Sequence, residues 1–150
     1  MTLENKNIRS SHLRRISATC VNLNLKKANR KINLIYDRYL VKADITANQF
    51  SILSYIDFFT PISINELAFH MLMERSTLSK NLDPLILKKL VKKEPGKDKR
   101  KKMILITKVG LTVLNESIRY WKLAQKEIYE TFGKHEVRDL LRSLHKVSNE

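Results

Sequence analysis

The chain has 150 residues, 43% of them hydrophobic, which suits one core and calls for no second domain. Three glycines and three prolines are too few for an all-β sandwich and favour long helices. A net charge of +14 points to a polyanionic surface, nucleic acid or anionic membrane; no apolar run approaches the roughly 20 residues of a membrane span. Cys20 is the only cysteine, so an intrachain disulfide is excluded and a reducing cytoplasm is the expected compartment. Met1 to Lys6 carries no apolar signal region.

From about Ser11 to Leu40 the chain lacks Gly and Pro and reads as one long helix. Leu13, Ile16, Cys20 and Leu23 share one face. Leu25, Ala28, Ile32, Ile35 and Tyr39 share another, rotated by roughly a third of a turn. Two faces on one helix imply two partners: a second subunit for the first half, the chain's own core for the second.

Thr46-Ala47-Asn48-Gln49 and Ser63-Ile64-Asn65-Glu66 are capping boxes, in which a hydroxyl accepts from a free backbone amide while the third residue reaches back. The first opens a helix carrying Phe50, Leu53 and Ile56 that ends near Phe59, at Thr60-Pro61. The second opens a short helix with Ile64, Leu67, Ala68 and Met71. Arg75 begins another, with Leu78, Leu82 and Leu85 facing inward and Pro84 introducing a local kink.

Lys88 to Lys102 packs nine lysines and arginines against two acids, Glu94 and Asp98. Leu90-Val91 and Met103 to Ile106 bracket it as β-favouring stretches, with Pro95-Gly96 as a turn. Thr107 to Phe132 then reads as a long helix with Leu111, Leu114, Ile118, Trp121, Ala124 and Ile128 on one face. After Gly133, Val137, Leu140, Leu141, Leu144 and Val147 complete a last amphipathic helix.

Helix, tight turn, helix, basic hairpin is the order of a winged helix-turn-helix, so the fold class is mainly α with a small β-hairpin wing. The expected organisation is one domain over 1–150, with a DNA-binding lobe at 46–107 and helical dimerisation regions at 11–40 and 108–148. The terminal helices carry more apolar surface than a small winged lobe can cover, which implies a homodimer.

Three stretches resemble the MarR family of transcriptional regulators: Ile45 to Phe50, Ile64 to Leu78, and Asp98-Lys99-Arg100 followed by Ile106-Thr107. The last is similar to the family's wing signature, with Ile in place of Leu, and Gly110 falls at the family's glycine in the next helix. Two positions depart from the pattern. Leu72 and Lys89 stand where the family has turn glycines, and a left-handed backbone there would cost on the order of 1 kcal/mol.

With Leu78, Leu82 and Leu85 buried, helical geometry turns Ser76, Lys80 and Asp83 outward, flanked by Thr77 and Ser79. Short hydroxyls let such a helix approach the major-groove floor, while Lys80 and Arg75 reach guanine or phosphate. The bland reading is that Ser and Thr favour a helix start and Lys80 is solvated. The resemblance implies that Arg100 enters the minor groove and Asp98 holds it or the tip in position. Lys97, Lys99 and Lys101 would touch phosphates, or the hairpin is simply a solvated basic tip.

A dimer of such modules should read double-stranded DNA at a pseudo-palindromic operator, half-sites roughly 10 bp apart. Lys26, Lys27, Arg30 and Lys31 form a further basic patch, either a solvated face or a contact for phosphate or an anionic ligand. The resemblance also implies a repressor released by a small aromatic or anionic effector, or by an oxidant. The effector region would include Ile32, Tyr36, Phe50 and Trp121, which ordinary core packing also explains. Cys20 is the candidate redox sensor, although a buried thiol is usually inert. The histidines His12, His70, His135 and His145 are scattered, and no phosphate loop or nucleophile elbow is present. No metal, cofactor or enzymatic activity is therefore expected, and a non-specific or architectural nucleic-acid protein is the alternative.

Overall fold

The computed structural model describes residues 12–96 and 102–148. It divides into two compact units within one helix, between Ile35 and Tyr36.

In the first unit residues 12–19 form α1, and α2 begins at Val21 and runs to Leu40. The expected single helix is thus interrupted at Cys20. Helical hydrogen bonds persist on either side, from Cys20 N to Ile16 O at 2.9 Å and from Asn24 N to Cys20 O at 3.0 Å. The Asn24 side-chain amide donates to Ser17 O at 3.0 Å and Cys20 O at 2.9 Å. A side chain inserted into the helical ladder is a recognised cause of a break. Leu13 and Ile16 are exposed, and Cys20 is half-buried.

In the second unit a 3-10 turn, Val41–Ala43, leads to α3 (Ala47–Phe59), β1 (Ile62–Ser63), α4 (Ile64–His70) and α5 (Arg75–Leu87). Strands β2 (Val91–Pro95) and β3 (Lys102–Ile106) follow, then α6 (Lys108–Phe132) and α7 (Lys134–Ser148). The fold class is the mainly α winged helix-turn-helix that the element order predicts. Both capping boxes form: Thr46 and Gln49 start α3, and Ser63 and Glu66 start α4. Leu40, Ile45, Ile52, Leu53, Ile56, Leu67, Leu78, Leu82, Leu85, Leu90 and Ile104 make one buried cluster, so α3, α4, α5 and the sheet share a core.

The wing is three strands in the order β1-β3-β2, both pairings antiparallel. The short strand β1 is an addition to the expected hairpin. Pro95 belongs to β2, opposite Lys102, and so lies before the turn expected at Pro95-Gly96. Pro84 sits inside α5, whose helical bonding resumes with Lys88 N donating to Pro84 O at 3.0 Å.

Leu72 and Lys89 both adopt positive φ, 51° and 56°. Each ends its helix in a Schellman motif. Met73 N donates to Ala68 O and Leu72 N to Phe69 O; Leu90 N donates to Leu85 O and Lys89 N to Ile86 O. These closures satisfy helix-end carbonyls and place Leu90 in the core, so the turns form at glycine's usual positions without glycine.

Candidate nucleic-acid interface

Helix α5 buries Leu78, Leu82 and Leu85 and exposes Arg75, Ser76, Thr77, Lys80 and Asp83, with Ser79 half-buried. Its first residue follows Glu74, which supplies no side-chain cap. The amides of the first turn, which no carbonyl of the helix itself can reach, therefore receive no side-chain cap from Glu74 either. Hydroxyl, ammonium, guanidinium and amide donors thus gather at one end of the helix.

Beside that end lies a cleft of about 510 Å³ between the starts of α4 and α5 and the wing strands. Arg75 and Ser79 line it from α5, Ser63 to Glu66 from the α4 start, and Lys93, Lys102 and Ile104 from the wing. Lys93 pairs in register with Ile104, and Lys102 with Pro95, so the two lysines share one sheet face. Neither stands out in the sequence, because which strand residues face a cleft depends on a register that only pairing fixes. Lys97, Asp98, Lys99, Arg100 and Lys101, expected at the wing tip, lie outside the described residues.

Two other cations of the basic segment serve the fold. Lys88 Nζ donates to Asp44 Oδ2 at 2.8 Å and also to the Asp44 carbonyl, tying the end of α5 to the turn before α3. Lys92 pairs with Glu94 at 2.6 Å.

The wing base is fixed by Thr107. Its hydroxyl donates to Lys89 O at 2.7 Å and accepts from Gly110 N at 3.0 Å, capping α6. Thr107 N donates to Leu90 O at 3.0 Å. Gly110 packs so closely there that a Cβ would lie 2.1 Å from Leu90 O. Thr107 and Gly110 therefore join the end of α5, the wing and α6 at one point.

Of the expected effector residues, Phe50 and Trp121 stack with ring centres 6.5 Å apart. Tyr36 Oη donates to Gln125 Oε1 at 2.8 Å. Burial pushes the Tyr36 hydroxyl above its ordinary pKa, with Tyr129 adding to the rise. Tyr39 Oη donates to Glu127, which raises its pKa, and Arg38 pairs with the same carboxylate at 2.6 Å. Trp121, Gln125 and Tyr129 line an open cavity of about 520 Å³ edged by Lys122, Lys126, Glu130 and Lys134, with Lys126 paired to Glu130 at 3.7 Å. Periodicity does not isolate Gln125 or Tyr129 from ordinary helix-surface residues. Ile32 belongs to the first unit. Among the described residues no cluster could hold a metal ion, and no helix is long and apolar enough to cross a membrane.

A model of the MarR family matches residues 43–101. Among solved structures, the M. tuberculosis transcriptional regulator MosR in complex with DNA is 30% identical, covering 87% of this chain and 96% of its own, with a TM-score of 0.75. A mutant E. coli MarR complexed with operator DNA is 25% identical over 89% of this chain and 96% of its own, at a TM-score of 0.79. Wild-type E. coli MarR in its apo form is 26% identical over 85% of this chain and 96% of its own, at 0.70. No curated protein matches the chain significantly.

Proposed function

The chain belongs to the MarR family of DNA-binding transcriptional regulators, and from that premise we propose that it is a homodimeric repressor of pseudo-palindromic operators. The observation that carries this reading is the exposed donor set Arg75, Ser76, Thr77 and Lys80 at the start of α5, beside a cleft edged by Lys93 and Lys102. In the major groove the hydroxyls and Lys80 read base edges, while Arg75 and Ser79 meet base or backbone near the helix start. Lys93 and Lys102 supply backbone charge, joined from the tip by Lys97, Lys99 and Lys101. Arg100 enters the minor groove and Asp98 positions it or the tip.

Dimerisation uses the terminal helices. Leu13 and Ile16 on α1 are 55% and 53% exposed, and Leu140, Leu144 and Val147 on α7 are 44%, 38% and 77% exposed. Apolar stripes left in water on helices of this length favour burial against a second copy.

Release comes from a small aromatic or anionic effector in the region of Tyr36, Phe50 and Trp121. Lys122 and Lys134, left over after Lys126 pairs with Glu130, edge an aromatic-lined cavity and favour a carboxylate-bearing aromatic. An oxidant would act through Cys20, and peroxide-driven release that survives Cys20→Ser would exclude that route.

Competition decides between this reading and a non-specific nucleic-acid protein. Operator fragments selected from genomic DNA are challenged with bulk DNA at fixed salt. Specific recognition predicts a preference of about 10³-fold or more, reduced in a Ser76→Ala/Lys80→Ala variant. Equal affinity for all sequences would overturn specific recognition, and an unaltered variant would overturn the assignment to α5. Unchanged transcription of the adjacent genes when the protein is deleted would overturn repression.

A further inference from the structure

The excess positive charge of this chain is confined to two segments. Lys88 to Lys102 carries nine cations and two acids, and residues 12–35 carry six cations and no acid. The rest of the chain is nearly balanced, with 14 cations and 13 acids. The wing accounts for the first segment, and nothing in the winged lobe accounts for the second.

Four of the six cations lie together on α2: Lys26, Lys27, Arg30 and Lys31, all exposed. They form two like-charged i,i+4 pairs, Lys26 with Arg30 and Lys27 with Lys31. Such neighbours repel and destabilise a helix unless an opposite charge intervenes. Among the described residues none of the four makes an ion pair. The next acid along the helix, Asp37, accepts from Ala47 N at 2.6 Å. The first turn of α2 also holds no acid. A free helix gains nothing from this arrangement; a helix lying on a polyanion recovers the repulsion as attraction.

We propose that this face of α2 is a second, sequence-independent contact for the phosphate backbone of double-stranded DNA, separate from the winged lobe. DNA fits better than a membrane surface. Val21, Leu23, Leu25 and Leu34 are the large exposed apolar residues of α2 near the lysines, and none is the Trp or Phe that anchors interfacial helices beside leucine. The inference rests on the DNA-binding reading above. Once the winged lobe is bound, tethering raises the effective concentration of backbone at other surfaces of the same chain. Weak phosphate contacts then add affinity and salt dependence without adding base preference.

The test is fluorescence anisotropy on a random-sequence duplex of about 60 bp across a salt series, long enough to leave backbone beyond any one lobe. Three proteins are compared: wild type, Lys93→Gln/Lys102→Gln in the wing, and Lys26→Gln/Lys27→Gln/Arg30→Gln/Lys31→Gln in α2. Glutamine keeps helix propensity while removing charge, so the α2 variant should melt at or above the wild-type temperature. Removing one cation that neutralises a phosphate lowers the slope of log K against log salt by about 0.9. We expect a fall of about 2 to 4 for the α2 variant, and about half of that for Lys27→Gln/Lys31→Gln, which also serves if the quadruple variant misfolds.

If wild type fails to bind the duplex, the DNA-binding reading itself falls. If wild type binds and the wing variant weakens while both α2 variants keep the wild-type slope, the α2 proposal alone is overturned. Binding of wild type to anionic phosphatidylglycerol vesicles that the α2 variant loses, with an unchanged DNA slope, would replace DNA by a membrane and equally overturn it.

Discussion

Replacing Gly110 by Ala probes the joint on which the wing is mounted. The new Cβ would lie 2.1 Å from Leu90 O and 2.8 Å from Ile106 Cγ1. The first partner is backbone and cannot rotate away, so α6 and the wing base must separate by about 1 Å to reach van der Waals contact. Leu90 O also accepts from Thr107 N at 3.0 Å and from the Thr107 hydroxyl at 3.2 Å, so the same movement strains the cap of α6. Overpacking typically costs about 1–3 kcal/mol and one weakened hydrogen bond about 1 kcal/mol more. The expected loss is therefore about 2–4 kcal/mol, a fall in melting temperature of roughly 6–12 °C for a chain of this size. Calorimetry reads it directly. Because the strain falls where the wing meets α5, DNA affinity measured well below the melting range should fall as well. A melting temperature within about 2 °C of wild type would refute the close approach of α6 to Leu90.

Other substitutions test separate parts of the structure. Leu72 is 74% exposed with φ 51°, so Leu72→Gly removes little packing and relieves the left-handed strain. Offset by glycine's greater unfolded-state entropy, the gain is up to about 1 kcal/mol, read from urea midpoints. Arg100→Ala should flatten base preference at an outer operator position, whereas Lys97→Ala should weaken all sequences alike and lower the salt slope by about one unit; unchanged gel-shift affinity in Arg100→Ala would remove it from the wing contact. Burial and Tyr129 raise the Tyr36 pKa above 10.0 in the folded protein. The unfolded chain then ionises first, so this contribution is complete below that pH and is lost as pH rises through the folded value. Tyr36→Phe should reduce the steepness of alkaline unfolding, and an unaltered profile would contradict the burial of that hydroxyl.

What is legible in the sequence follows from what is local. Leu78, Leu82 and Leu85 repeat at helical spacing, and their burial alone turns Ser76 and Lys80 outward. Thr46 with Gln49, and Ser63 with Glu66, announce helix starts because a capping box involves only four consecutive residues. Leu72 and Lys89 are marked by the family's glycines, and both adopt the left-handed geometry those glycines imply. What escapes depends on distant partners. Two-residue β1 has no alternation to display and exists because β3 pairs with it. The break at Cys20 rests on Asn24 reaching back to Ser17, an interaction no hydrophobic period encodes. Lys93 and Lys102 look like the other basic residues of the hairpin until strand register turns them toward Arg75 and Ser79.

Sequence-specific reading by α5 is tested most directly by sequencing the genomic DNA that the purified protein retains, alongside the Ser76→Ala/Lys80→Ala variant. Wild type should enrich a small set of fragments sharing a pseudo-palindrome with half-site centres roughly 10 bp apart, and the variant should lose that enrichment while still binding DNA at low salt. Uniform recovery of the genome by wild type, or an unchanged motif with the variant, would contradict it.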